Sequence, residues 1–221
     1  MTDRVAVVTG GSTGIGRGIA KRLAEDGVNV VIASRNREPR QGKYYQTDLT
    51  VPTDELVEEE YGVESLFVET DVSEEDAVRN LIEETIEEFG RLDHLVNNAG
   101  IIIPGTSQET SVEEWEAVVD VNLKGYFMTA KYAVPHIVDS PQGRIVNMSS
   151  VNAFFGGAGP AYASTKAGIV NLTRDLAVEL APDDVTVNAV LPGVIKTPMQ
   201  DANDEETQKR QREKTALSRL G

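Results

Sequence analysis

Alternation between short apolar segments and amphipathic stretches is the feature that most constrains the fold of this chain. Val28–Ala33 is apolar throughout, as expected of a parallel strand that is buried on both faces. Strands that alternate with helices build βαβ units with right-handed crossovers. We therefore predict an α/β protein with a parallel sheet. The six predicted strands are Arg4–Thr9, Val28–Ala33, Leu66–Glu69, Leu92–Val96, Arg144–Met148 and Val185–Val190.

Two of the intervening helices have predictable ends. Ser73 with Asp76, and Ser111 with Glu114, have the three-residue spacing of a capping box, so each serine is expected to begin a helix. Pro135 is expected to end the helix that starts at Ser111, because proline lacks the backbone N–H that a helix interior needs.

A glycine-rich turn joins the first predicted strand to the first helix. Gly10, Gly14 and Gly16 let the backbone turn tightly and let phosphate oxygens approach the free N–H groups at the helix start. Glycines alone also occur in ordinary turns between elements, without any ligand. In a strand–turn–helix setting, however, the pattern predicts a dinucleotide site.

The candidate catalytic residues are Tyr162 and Lys166. They are four apart at the start of a helical pattern and so share one helix face. The ammonium is expected to lower the pKa of the phenol, which makes tyrosine a plausible proton donor and acceptor. Ser150, at the end of a predicted strand, could bond the same substrate oxygen, and Ser149 competes with it for that role. The alternative is an ordinary helix with an exposed tyrosine and lysine.

Asn122 falls on the apolar stripe of the Ser111 helix and is therefore predicted to be buried. A buried amide must find hydrogen-bond partners or cost about 1–3 kcal/mol. A bond to nearby backbone is the structural interpretation, and a catalytic role is the other.

Taken in order, these motifs resemble the short-chain dehydrogenase/reductase family, in particular glucose 1-dehydrogenases and 3-oxoacyl-carrier-protein reductases. The resemblance implies a Rossmann-type doubly wound parallel sheet in three layers, with strand order 3-2-1-4-5-6, within one domain over residues 1–221. It also implies alcohol–carbonyl interconversion with a nicotinamide cofactor, and a water held by Asn122 that links Lys166 to solvent. Family members continue beyond the segment at 217–221, so a seventh strand is expected to be missing. The motifs that carry the resemblance are Thr9–Gly16, Asn97–Gly100, Ser150, Tyr162, Lys166, Pro192 and Gly193.

The same resemblance gives the residues expected to hold the cofactor, with Asp71 and Val72 near the adenine and Ile195 and Thr197 near the nicotinamide carboxamide. The full set is Thr9, Gly10, Ser12, Thr13, Gly14, Ile15, Gly16, Ser34, Arg35, Asp71, Val72, Asn98, Ala99, Gly100, Tyr162, Lys166, Pro192, Gly193, Ile195 and Thr197.

The end of the second predicted strand bears on the choice of cofactor. Many NAD-binding members place an acid there, whereas this chain has Ser34 and Arg35, followed by Arg37. Guanidinium groups bind phosphate oxygens in bidentate fashion, so we expect NADP, with NAD possible. Exposed loop arginines without a ligand are the alternative.

The charge balance excludes some partners. With 36 acidic against 21 basic residues, the net charge is −15, which disfavours nucleic acid and anionic lipid. The chain has no cysteine and no membrane-length apolar run, and it starts directly with a strand pattern, so a cytoplasmic protein is expected. An acidic surface with few lysines also suggests a halophilic source. Neither His94 nor His136 has a metal-like setting, so no metal site is expected.

Two stretches do not follow the alternation. Residues 36–64 are long for one connection, and we expect an irregular segment with a short helix near Asp54–Glu60. Thr197–Arg212 is polar and charged, as in a substrate lid or an exposed helix. Phe154 and Phe155 either line a substrate pocket or pack in the core.

Two functional hypotheses remain. The first is an oxidoreductase with a small carbonyl or alcohol substrate, forming a homo-oligomer through the helices that start near Ser111 and Tyr162. The second is a catalytically idle nucleotide-binding or scaffold protein of the same fold.

Overall fold

A six-stranded parallel sheet is the framework of the protein, which a computed structural model describes at residues 4–40, 42, 50–202, 205–213, 215 and 221. The strand order is β3-β2-β1-β4-β5-β6, so the predicted fold class and order are confirmed. Within the described residues β6 pairs with β5 alone. Residues 217–220, part of the segment beyond which family members were expected to continue, lie outside the described residues, and the missing seventh strand stays a prediction. The strands are β1 Val5–Thr9, β2 Asn29–Ser34, β3 Ser65–Glu69, β4 His94–Asn97, β5 Arg144–Met148 and β6 Thr186–Val190.

Helices cover both faces of the sheet. Side chains from α3, α5 and α6 pack on one face against Val5 and Val7, whereas α1 and α2 pack on the other against Val8. Neighbouring residues of one strand thus enter opposite cores, which explains the uninterrupted apolar runs. The helices are α1 Gly14–Glu25, α2 Thr53–Tyr61, α3 Glu75–Phe89, α4 Val112–Val119, α5 Gly125–Ile137, α6 Pro160–Leu180 and α7 Glu205–Glu213.

The expected capping boxes differ in outcome. At Ser111 the prediction is confirmed: its hydroxyl accepts from the backbone N–H of Glu114 at 3.1 Å, and its own N–H donates to the Glu114 carboxylate at 2.9 Å. At Ser73 the prediction is wrong. Both the N–H and the hydroxyl of Ser73 donate to the Asp71 carboxylate, at 3.0 and 2.6 Å, and α3 begins after Glu74 without a side-chain cap. The charged Asp71 carboxylate, two residues earlier, instead accepts from Ser73 in an Asx turn.

Pro135 does not end its helix, contrary to expectation. It lies inside α5, which continues to Ile137. Ile137 is fully buried in the main core, so its packing outweighs the single hydrogen bond that proline removes. The predicted Ser111 helix is also not one continuous α-helix, because a π-helical turn at Asp120–Lys124 separates α4 from α5.

The long connection after β2 contains the short helix predicted near Asp54–Glu60, namely α2. It starts directly after Pro52 and ends at Gly62, whose φ of 67° is left-handed. The polar stretch after β6 forms a 3₁₀ turn at Pro198–Ala202 and then α7. In the described part of the chain, no helix combines the length and the apolar character needed to cross a bilayer.

Candidate active site

The glycine-rich turn connects β1 to α1 at the carboxyl edge of the sheet. Gly10 and Gly14 have φ values of +65° and +56°, which side-chain-bearing residues rarely adopt. A Cβ on Gly16 would overlap the carbonyl oxygen of Gly10. The N-cap residue Thr13 makes no side-chain cap bond, and the first turn of α1 has no acidic residue. The N–H groups of this turn are therefore suited to bind an anion such as a pyrophosphate.

The Asn97–Gly100 segment is bound to the end of β1. The Thr9 hydroxyl accepts from the backbone N–H groups of Asn98 at 2.9 Å and Ala99 at 3.1 Å. The Asn98 side chain donates in return to the carbonyl oxygens of Thr9 at 2.9 Å and Gly10 at 3.1 Å. Thr9 and Asn98 thus hold the glycine-rich turn and the Asn97–Gly100 segment together.

A chain of buried polar side chains continues from this point, and the sequence analysis missed most of it. Asn97 donates to Asn147 at 3.0 Å, and Asn147 donates to the Thr173 hydroxyl at 3.0 Å. The Thr129 hydroxyl lies 2.6 Å from the Asn97 amide oxygen. These contacts tie α5, β4, β5 and α6 together. Asparagine inside a buried strand was the available signal, because a buried amide needs partners.

Asn122 lies in the π-helical turn and is fully buried, as predicted. Its amide oxygen accepts from the Ile101 N–H at 2.8 Å, and its NH₂ donates to the Ile101 carbonyl at 2.9 Å and to the Thr165 hydroxyl at 3.3 Å. Backbone bonds thus satisfy the amide, as in the structural interpretation. The water-holding role of Asn122 stays a prediction.

Tyr162 and Lys166 lie at the start of α6 and line the same cleft. The Lys166 side chain is buried, with the residue only 4% exposed, and its Nζ donates to the Met148 carbonyl at 2.9 Å. The same Nζ lies 5.5 Å from the centroid of the Tyr162 ring. The two side chains are therefore neighbours.

The predicted direction of the Tyr162 pKa is wrong for this arrangement. Burial raises the pKa of Tyr162 more than its hydrogen bond with Ser150 lowers it. Burial also lowers the pKa of Lys166, to about 8. Removal from water disfavours the charged form of each group, the phenolate of Tyr162 and the ammonium of Lys166.

The two candidate serines have different partners. Ser149 donates its hydroxyl to the Lys166 carbonyl at 2.7 Å, so its hydroxyl supports the backbone of α6. Ser150 hydrogen-bonds Tyr162 and accepts from the Asn152 N–H at 3.2 Å. Ser150 is therefore the serine that faces the tyrosine.

The far end of the cleft adjoins the end of β2. The Ser34 hydroxyl accepts from Ser12 at 2.8 Å, and the Arg35 guanidinium lies 3.9 Å from the Asp71 carboxylate. Arg37 instead donates to Asp54 at 2.9 Å. An arginine that the sequence analysis missed, Arg40, lines the cleft, and its carbonyl accepts from the Thr13 hydroxyl at 3.3 Å.

The cleft has a volume of about 500 Å³ and collects most of the predicted site residues. Four predicted residues do not line it: Thr9 and Gly16 support its loops, Asn122 bonds Ile101, and Asp71 bonds Ser73. The predicted residues on its wall are Gly10, Ser12, Thr13, Gly14, Ile15, Ser34, Arg35, Val72, Asn98, Ala99, Gly100, Ser150, Tyr162, Lys166, Pro192, Gly193, Ile195 and Thr197.

Phe154 and Phe155 do not pack in the core, since they are 67% and 68% exposed. Neither phenylalanine lines the cleft, so the alternative role in a substrate pocket stays a prediction. His94 lies at the start of β4, and burial lowers its pKa. Over the residues that the structure describes, no group of three or more His, Asp or Glu side chains could hold a metal ion.

Comparison with known proteins decides the family. A model of the short chain dehydrogenase family matches residues 4–208. The chain belongs to this family. Its members are oxidoreductases that use NAD(P), and the glycine turn, the uncapped start of α1 and the cleft fit such a dinucleotide.

Relatives within the short-chain dehydrogenase family cover nearly the whole chain. The 3-oxoacyl-[acyl-carrier-protein] reductase FabG of Staphylococcus aureus strain Mu50 is 39% identical over 220 residues, which are 98% of this chain and 84% of the relative. The (2S)-[(R)-hydroxy(phenyl)methyl]succinyl-CoA dehydrogenase subunit BbsD of Thauera aromatica is 40% identical over 207 residues, or 93% and 79% of the two chains.

Solved structures of the family agree with the fold. A protein described as a short-chain alcohol dehydrogenase from Sinorhizobium meliloti 1021 superposes with a TM-score of 0.89 at 34% identity, covering 100% of this chain and 84% of the other. A dehydrogenase/reductase from the same organism gives 0.86 at 32% identity, covering 100% and 83%.

Proposed function

We propose that this protein is an NADP(H)-dependent oxidoreductase that interconverts a secondary alcohol, or a sugar hemiacetal, with a carbonyl. The observation that carries the proposal is that Ser150, Tyr162 and Lys166 line the cleft into which the glycine-rich turn opens. The Ser150–Tyr162 hydrogen bond supports a shared role at one substrate oxygen.

In the proposed mechanism these side chains transfer one proton to or from the substrate oxygen. A bound nicotinamide would supply or accept the hydride. In reduction, Ser150 and Tyr162 donate hydrogen bonds to the carbonyl oxygen, and Tyr162 then transfers its proton to that oxygen. In oxidation the Tyr162 phenolate takes the proton from the alcohol. Lys166 would hold the cofactor ribose and stabilise negative charge on Tyr162, and Asn122 would hold the water that links Lys166 to solvent.

Replacement of the proton donor tests this function. Tyr162→Phe is expected to lower kcat for carbonyl reduction by about a thousandfold, since positioned proton transfer contributes that order of rate enhancement. Cofactor binding, followed by NADPH fluorescence, should persist. The matched control is Tyr61→Phe on α2, outside the cleft lining. The assay is nicotinamide absorbance with sugars, ketones and a 3-oxoacyl thioester, the substrate class named for one relative.

A catalytically idle nucleotide-binding protein is the competing function. It predicts cofactor binding without turnover in the wild type and in Tyr162→Phe alike. That outcome across the substrate panel would replace the enzymatic proposal.

We propose NADP(H) as the preferred cofactor because the β2 end of the cleft combines a small hydroxyl with two cations. Ser34 leaves room for a 2′-phosphate, and the guanidinium groups of Arg35 and Arg40 belong to residues on the same wall. Arg37 is less suited to this role, since Asp54 and Glu55 hold its guanidinium.

The preference is tested by reversing one charge. Arg35→Asp is expected to raise the KM for NADPH at least tenfold and to leave the KM for NADH nearly unchanged or lower, because a carboxylate repels phosphate and bonds free ribose hydroxyls. Arg37→Gln should leave the ratio of the two KM values as it is in the wild type. An unchanged ratio in Arg35→Asp contradicts the assignment.

We also propose that the protein self-associates through α4, α5 and α6. Exposed apolar side chains on these helices support this, with Trp115 38% and Phe127 53% exposed, and Val112 and Val178 more so. The acidic surface argues against nucleic acid and anionic lipid as partners. The cytoplasmic location stays a prediction.

A further inference from the structure

The amine of Lys166 is held by groups from three elements. Its Nζ donates to the Met148 carbonyl at the end of β5, at 2.9 Å. It lies 5.5 Å from the centroid of the Tyr162 ring in α6. It also lies 5.5 Å from the centroid of the Tyr126 ring in α5. An ammonium over an aromatic face is stabilised by the negative charge density of that face.

Tyr126 contacts the same carbonyl as Lys166. It is 1% exposed, and its hydroxyl donates to the Met148 oxygen at 3.1 Å. A carbonyl oxygen has two lone pairs, so it accepts both donors. Burial raises the pKa of Tyr126, so its phenol stays a neutral hydrogen-bond donor at neutral and mildly alkaline pH. The ring is thus fixed at its hydroxyl end while its face lies near the ammonium.

The position of Tyr126 along the chain links it to the rest of the site. It is in the first turn of α5, directly after the π-helical turn that contains Asn122. Leu123 of that turn packs against α6 at Gly168, where a Cβ would come within 3.0 Å of the leucine side chain. The π-helical turn and the start of α5 therefore pack against the part of α6 that carries Lys166.

We propose that Tyr126 is a positioning residue for Lys166: the face of its buried ring supports the ammonium beside the Met148 carbonyl. The catalytic meaning of this contact rests on the proposed function, because Lys166 is assigned there to the cofactor ribose. The contact itself is a property of the protein alone and is measured without cofactor or substrate.

The test compares two ring substitutions of nearly equal shape. Tyr126→Phe keeps the ring and its electron-rich face, whereas Tyr126→pentafluorophenylalanine, introduced by stop-codon suppression, reverses the charge distribution of the face. Each protein is labelled with 13C at lysine Cε, and the Lys166 signal is identified by its loss in Lys166→Arg. The pKa of Lys166 is then read from an NMR titration of the cofactor-free protein, with thermal melting to verify the fold.

We expect the Tyr126→Phe protein to keep the wild-type Lys166 pKa, about 8, and the fluorinated protein to titrate about one pH unit lower. Equal titration of the two variants, or a higher pKa in the fluorinated one, overturns the proposal, since a residue that only fills space would not distinguish the rings. If the titration moves as expected but the pH dependence of NADPH binding does not follow it, Tyr126 positions Lys166 and the role given to Lys166 in the proposed function fails instead.

Discussion

At the scale of single residues, burial decides the protonation of the site. The pKa of Tyr162 is raised, so its phenol holds a proton at neutral pH and is ready to act as an acid in reduction. The pKa of Lys166 is lowered to about 8, so its charge is present at neutral pH and is lost as the pH rises through that value. As the pH rises, the activity of the enzyme should therefore respond to the deprotonation of Lys166 at a lower pH than to the deprotonation of Tyr162.

This ordering gives a prediction for cofactor affinity. The Kd for NADPH should be constant at neutral pH and rise above pH 8, because the deprotonated amine of Lys166 no longer attracts the cofactor. Fluorescence titration over a range of pH measures the change. In Lys166→Arg the guanidinium stays protonated, so this rise should vanish even if binding is weaker throughout. A rise at the same pH in both proteins would assign the titration to another group.

The sequence predicted which residues form the site better than it predicted their protonation. Tyr162, Lys166 and Ser150 could be chosen because their spacing and order are local properties of the chain. The direction of the Tyr162 pKa shift could not be predicted, since it depends on a balance between burial and one hydrogen bond in the folded protein. The partner of Arg37 was unpredictable for a similar reason: Asp54 is seventeen residues away and meets it only in the folded structure.

At the scale of elements, periodicity was sufficient for the sheet, and competition between neighbours decided the helix ends. The six predicted strands match the observed bounds within two residues. Ser111 and Ser73 had the same sequence pattern, but only Ser73 follows an aspartate two residues earlier that binds its hydroxyl. The π-helical turn had no signature in the apolar pattern, because the buried residues Asn122 and Tyr126 are four apart, the spacing that an uninterrupted α-helix also gives.

The exposed helix faces give a prediction for assembly. The double variant Trp115→Glu, Phe127→Glu should shift the protein from an oligomer towards the monomer, because charges would replace buried apolar contacts at the proposed interface. Light scattering after size-exclusion chromatography measures the mass. Phe155→Glu, which changes a still more exposed phenylalanine outside these helices, should leave the mass unchanged. A monomeric wild type would contradict self-association.

At the scale of the whole molecule, charge is the dominant property. The surface carries a net charge of −15, and repulsion of this size opposes the compact state at low ionic strength. The arginines on the cleft wall are thus cations in an acidic surrounding, which should direct an anionic cofactor to its site. The halophilic source suggested by this composition stays a prediction.

Salt is therefore expected to stabilise the fold. At neutral pH the Tm should be higher in molar KCl than in dilute buffer, because a Debye length of about 3 Å at 1 M screens the repulsion between acidic side chains. Calorimetry in both solvents measures the difference. Nearer the pI of about 4.6 fewer carboxylates are charged, so the same salt should raise the Tm by less. A lower Tm in KCl at neutral pH rules the idea out.

The π-helical turn at Asp120–Lys124 also bears on how the length of this segment can change in evolution. Such a turn contains about one residue more than the α-helical turn it replaces, and it takes up that residue within a single wider turn. A one-residue deletion here would therefore restore an unbroken α-helix with α4 and α5 at nearly the same rotation, and Trp115 would keep the side of the molecule on which it lies. Single-residue indels in this turn are thus a route by which relatives could alter the backbone around Asn122 and keep the helix faces on either side of it.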